Sequence, residues 1–149
     1  MLTKPTVDRQ VAEIEELLRS VSTILKKRGR DILSNFDITP PQFDALLVLR
    51  EYGELTMGEL CQKMYLACST ATDLIDRMER NGLIERVRDT ADRRVIRLRV
   101  LPKGASVIED LMAARRNYLG TILSEVDGAD KDRLIQSLQQ INYLMTREV

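Results

Sequence analysis

The sequence predicts a mainly α chain with a small β-hairpin, and three observations carry that expectation. Apolar residues recur at helical spacing through most of its length. Two capping signatures open short helices near the middle. After Gly82 the apolar period switches from 3.6 to 2. At 149 residues, with 44% hydrophobic and 31% charged side chains, the chain can bury a core and is not a disordered tail.

The elements follow in order. Val7, Val11, Ile14, Leu18, Val21 and Leu25 alternate in steps of four and three, a heptad seam on one long helix that wants a partner. Thr39-Pro40-Pro41-Gln42 opens the next helix: Thr39 caps, Pro40 suits the first position, and Gln42 completes a capping box. That helix stops near Gly53. Thr56-Met57-Gly58-Glu59 repeats the capping signal and starts a short helix. After the tight Tyr65-Leu66-Ala67-Cys68 turn a further helix begins near Ser69 and runs to Asn81-Gly82, with Ala71, Leu74, Ile75 and Met78 as its inner stripe. Ile84 to Asp89 and Ile96 to Val100 read as paired strands around the turn Thr90-Ala91-Asp92-Arg93. Two helices close the chain, roughly residues 106–126 and 129–147, split at Asp127-Gly128. Ile141 and Met145 extend the apolar stripe of the last one.

Two helices joined by a tight turn and followed by a charged hairpin make a winged helix-turn-helix, here spanning approximately residues 37–104. The helical segments at approximately 5–35 and 105–149 then form a dimerisation module. Val7, Val11, Ile14, Leu18, Val21, Ile141 and Met145 are its expected contacts.

Composition excludes several chemistries. The chain contains no histidine, which removes Ser-His and Cys-His nucleophilic pairs and the commonest metal ligand, so neither an enzyme nor a metal or cofactor site is expected. Two cysteines suit a reducing compartment. Apolar runs are far too short to span a bilayer, and a cytoplasmic protein without membrane contact is the expectation. The net charge is zero, but its distribution is uneven: residues 77–103 carry nine basic against four acidic side chains, a net of +5, and the remainder carries −5. One anion-binding face on an acidic body is the arrangement expected of a partner for double-stranded DNA.

Chemistry can be assigned to single residues on that face. Ser69, Thr70 and Thr72 are small hydroxyl residues that let the helix approach base edges; Arg77 can donate bidentately to guanine, and Asp73 can accept from cytosine N4. An arginine at a hairpin tip suits a narrow A·T-rich minor groove. Arg88 and Arg93 are expected on phosphates. The alternatives are an ordinary solvated face and a winged-helix module that binds protein instead of DNA.

The order and spacing of Gly58-Glu59-Leu60, Ser69 through Arg86, Asp89-Thr90-Ala91-Asp92-Arg93-Arg94 and Lys103-Gly104 resemble the MarR family of bacterial winged helix-turn-helix regulators. The resemblance implies a homodimeric transcriptional regulator, most often a repressor, on a pseudo-palindromic operator. It implies a wing in which Arg94 enters the groove and Asp92 orients it. It also implies a small-molecule effector, for whose pocket the sequence offers only Phe36, Phe43, Tyr52 and Tyr118 as candidate walls. Asp73 departs from the basic or neutral residue of many relatives, Leu101 from a capping threonine, and Cys61 from a small alanine. Cys68, just before the recognition helix at its positive end, is a candidate redox residue and makes an oxidant-sensing regulator a further alternative. The peroxide-sensing cysteine of some family members lies in the first helix, where this chain has none.

Overall fold

The computed structural model describes residues 8–148, in two compact units, Met1–Met112 and Ala113–Val149. Val7, the first position of the seam, lies outside the described residues.

In the first unit, α1 (Arg9–Ser34) begins at Asp8, whose side chain accepts from the Gln10 N–H at 3.3 Å. α2 (Pro40–Tyr52) starts on the expected capping box: the Thr39 hydroxyl accepts from the Gln42 N–H at 3.4 Å, and the Gln42 side chain accepts from the Thr39 N–H at 3.1 Å. It ends at Gly53, where φ is +80°, a conformation that favours glycine.

A two-residue strand, β1 (Leu55–Thr56), follows and leads directly into α3 (Met57–Met64). No periodicity announces it, because two residues carry none. Its capping signal is met only in part. The Thr56 hydroxyl accepts from the Glu59 N–H at 3.2 Å, but the Glu59 carboxylate takes the Thr56 hydroxyl at 3.1 Å and not its backbone N–H. Helix α4 (Cys68–Arg80) starts one residue earlier than expected.

Strands β2 (Ile84–Arg88) and β3 (Ile96–Val100) form the hairpin, and β3 lies central in an antiparallel sheet of order β1-β3-β2. Leu98 sits opposite both Leu55 and Arg86. α5 (Pro102–Ile122) starts four residues before the expected boundary, with Pro102 at its first position. The core of this unit is built by Leu46 and Leu49 of α2, Leu60 of α3, Ile75 and Met78 of α4, Ile84 and Leu98 of the sheet, and Ile108 and Leu111 of α5, all fully buried. Close packing reaches the backbone at Gly104, where a Cβ would overlap the Leu83 carbonyl oxygen.

The second unit holds the end of α5, a 3-10 turn at Leu123–Glu125, and α6 (Gly128–Thr146), capped by Asp127, whose side chain accepts from the Asp130 N–H at 2.8 Å. No residue of α6 is buried within the chain.

The apolar seam is also open on α1. Val11, Ile14, Leu18, Val21 and Leu25 are exposed, as are Leu17 and Ile24 between them. The stripe is therefore broader than a strict two-in-seven seam, and its exposure argues for a partner. On α6, Met145 is exposed and Ile141 half-buried. No helix among the described residues is long and apolar enough to cross a membrane.

Candidate nucleic-acid interface

The helix-turn-helix is set by the way α3 ends. Tyr65 takes the left-handed conformation, φ +54°, and the Leu66 N–H donates to the Cys61 carbonyl at 3.0 Å, so the chain folds sharply back toward α4. Glycine is the usual residue for this conformation, which is why tyrosine gave no signal in the sequence. Ala67 precedes α4 and offers no side-chain cap. With Ala71, Ile75 and Met78 buried, the opposite face of α4 turns outward.

Ser69, Thr70, Thr72, Asp73 and Arg77 all lie exposed on that face, as their spacing predicts. Their free bonding capacity differs. The Thr72 hydroxyl donates to the Cys68 carbonyl at 2.8 Å, which uses its one donor. Arg77 Nη2 lies 3.3 Å from Asp73 Oδ2. Asp76 is paired across to the hairpin, accepting from Arg86 of β2 at 2.5 Å, and the same guanidinium donates to Glu79 at 2.7 Å. The Arg86 backbone N–H adds a bond to Glu79 at 3.2 Å. Hydrogen bonding to Asp76 comes first among the causes that raise the Arg86 guanidinium above its ordinary range, with burial opposing it.

The hairpin is less uniformly basic in space than in sequence. Arg97 is paired with Asp89 at 3.4 Å, and Arg99 with Glu54 at 2.7 Å and Glu85 at 3.3 Å. Lys103 donates to the Asn81 carbonyl at 2.7 Å. Arg80, Arg88 and Arg93 have no side-chain partner among the described residues, and all three are exposed. At the tip, Asp92 Oδ1 accepts from both the backbone N–H of Arg94 at 3.0 Å and its Nε at 3.3 Å. The Arg94 side chain is nevertheless 92% exposed, so its base is anchored while its end projects into solvent.

The two cysteines flank the turn. Cys61 is buried and Cys68 exposed, and burial, then hydrogen bonding with Cys68, pushes the Cys61 thiol up from its ordinary value. No group of three or more His, Cys, Asp or Glu side chains that could hold a metal occurs among the described residues.

The aromatic residues offered as pocket walls are placed elsewhere. Phe43 is buried in the core, Phe36 packs against it, and Tyr52 carries the Lys63 ammonium 3.7 Å above its ring. A cleft of about 490 Å³ does open between the end of α2, β3 and the start of α5. Leu49, Val100, Leu101 and Ile108 line it, together with the Arg50–Glu109 ion pair at 3.1 Å, and none of the four aromatic residues does.

Comparison with known proteins points one way. Residues 38–96 match the profile of the MarR family. An uncharacterized HTH-type transcriptional regulator of Bacillus subtilis, YsmB, is 45% identical over 99% of this chain and all of its own length. The organic hydroperoxide resistance transcriptional regulator of the same organism is 34% identical over 82% of each chain. In three dimensions, a MarR family protein from Bacillus stearothermophilus superposes with a TM-score of 0.88 at 49% identity, covering 95% of this chain and 99% of the other.

Proposed function

Because the chain belongs to the MarR family of non-enzymatic, DNA-binding transcriptional regulators, we propose that it acts in the cytoplasm as a homodimeric repressor on a pseudo-palindromic operator. The observation that carries this reading is the pairing of an outward recognition face on α4 with an exposed, anchored arginine at the wing tip. In it, Ser69, Thr70, Thr72, Asp73 and Arg77 face base edges in the major groove, Arg94 enters the flanking minor groove on its Asp92 anchor, and Arg88 and Arg93 hold phosphates. The open stripes on α1 and α6, including Val11, Ile14, Leu18, Val21, Ile141 and Met145, join two copies. Two-fold symmetry then presents both recognition helices to half-sites about 10 base pairs apart. The 490 Å³ cleft has the volume for a small-molecule effector.

Fluorescence anisotropy with the duplex upstream of the protein's own gene tests the reading. Saturable binding that survives excess scrambled duplex is expected. Equal affinity for both duplexes would remove the operator reading, and none for either at low salt would leave the protein-interaction module as the better reading.

A second reading rests on the placement of exposed Cys68 and buried Cys61 on either side of the turn, near enough for the Cys68 thiol to help push the Cys61 thiol up. A hydroperoxide would transfer oxygen to the exposed Cys68 sulfur, giving a sulfenic acid and the alcohol. The Cys61 thiol would then displace water from that sulfur and close a disulfide beneath the first turn of α4.

A further inference from the structure

We infer that Asp73 and Arg77 together form one composite reader of a single G·C base pair in each half-site, with Asp73 supplying selectivity at the expense of overall affinity. The inference rests on the DNA-binding reading of α4.

Three carboxylates lie on α4, and the structure divides them. Asp76 and Glu79 both belong to Arg86. Asp73 alone remains for Arg77, at 3.3 Å, one helical turn away on the exposed face. A carboxylate there meets the phosphates of an approaching duplex unfavourably, so it weakens binding to every sequence alike. Only a sequence that gives Asp73 a hydrogen bond offsets that repulsion, which makes the acid a selectivity device.

The donor and acceptor order identifies the base pair. Arg77 Nη2 lies 3.3 Å from Asp73 Oδ2 as an ion pair without an aligned hydrogen bond, so the guanidinium keeps a pair of N–H donors for an outward fork. Asp73 keeps Oδ1 as an acceptor. The pair therefore presents two donors followed by an acceptor. In the major groove G·C presents the complement: acceptors at guanine N7 and O6, then the donor at cytosine N4. A·T presents acceptor, donor, acceptor and a methyl, which mismatches the pair at its second and third groups.

The test uses the full chain and an operator selected from a random duplex library. Each base pair of that operator is then exchanged in turn and titrated against wild type, Asp73→Asn, Asp73→Ala and Arg77→Lys. Wild type is expected to lose about tenfold or more in affinity when one particular G·C per half-site becomes A·T. Both Asp73 variants are expected to lose most of that discrimination while binding scrambled duplex as tightly as wild type or more so. Arg77→Lys keeps the charge but not the fork, and is expected to lose the discrimination too. Guanine replaced by 7-deazaguanine at that position should weaken wild type and leave Arg77→Lys unchanged. Full wild-type discrimination in both Asp73 variants overturns the inference, as does an operator with no required G·C pair. A library from which wild type selects no sequence overturns the DNA-binding reading itself, a distinguishable result. Asp73 is exposed, so unchanged thermal melting of both variants checks that they are folded.

Discussion

The Arg86 guanidinium reaches from β2 to the Asp76 carboxylate of α4 at 2.5 Å, a bond between residues ten apart that fixes the recognition helix to the wing. With the second bond to Glu79 it joins α4 to the hairpin through one half-buried side chain. Arg86→Ala should therefore cost about 1–2 kcal/mol of stability. It should also weaken specific binding more than scrambled binding, because α4 and the wing lose their fixed relation. Chemical denaturation alongside duplex titration reads both effects; a variant equally specific at lower stability would show that the bond only supports the fold.

Gly104→Ala sets two effects against each other. Alanine in a helix gains up to about 1 kcal/mol over glycine, but the new Cβ meets the Leu83 carbonyl oxygen, which already accepts from the Leu101 N–H at 2.9 Å. Backbone cannot yield as a flexible side chain can, so overlap wins and a net loss of about 1–3 kcal/mol is expected. Urea unfolding measures it, and a neutral or stabilised variant would refute the close approach.

At the wing tip the expected signature is a functional loss without a structural one. Arg94→Ala removes a side chain that is 92% exposed, so the melting temperature should not move, while operator affinity should fall roughly tenfold, chiefly with A·T-rich flanks. Arg88→Ala should instead weaken all duplexes alike and lower the salt slope by about 0.9 per lost phosphate contact. Titrations across a salt series separate the two behaviours.

Association of two copies should depend on the stripe of α1. Val21→Asp places a carboxylate among Leu17, Leu18, Ile24 and Leu25, and should weaken dimerisation by about a hundredfold or more. Light scattering should give a dimer mass for wild type at micromolar concentration and a monomer for the variant. A wild-type monomer would remove the symmetric operator reading with it.

The cysteines should differ in reactivity. Iodoacetamide is expected to label exposed Cys68 readily and to reach buried Cys61 only after unfolding, because burial and the neighbouring thiol keep Cys61 protonated. Treatment with tert-butyl hydroperoxide followed by peptide mass analysis tests the redox reading. A linked pair of Cys61 and Cys68 peptides supports it; a stable sulfenic or sulfinic acid at Cys68 with Cys61 free refutes the exchange between them.

Much of this architecture is local and so legible in the sequence. Thr39 and Gln42 are three residues apart, and a capping box needs nothing further. The stripe of Ala71, Ile75 and Met78 fixes which face of α4 turns outward, and with it Ser69, Thr70, Asp73 and Arg77. The switch of period after Gly82 announces the hairpin.

What the sequence could not supply is the choice among partners. Nine basic residues between Arg77 and Lys103 read as one charged face, yet Arg86, Arg97 and Arg99 are engaged within the structure, Arg99 by Glu54, 45 residues away. Asp76 and Asp73 look alike in the sequence, three apart on one helix. Only the approach of β2 makes the first a strut and leaves the second facing solvent. β1 exists because β3 offers it an edge, the left-handed turn at Tyr65 carries the chain from buried Cys61 back to exposed Cys68, and close approach to Leu83 excludes a side chain at position 104. Periodicity and caps act within a turn or two of one element, whereas an ion pair forms wherever the fold brings opposite charges within about 4 Å. The sequence by itself therefore determined the helices, the hairpin and their outward faces, and the tertiary structure decided which charges on those faces remain free.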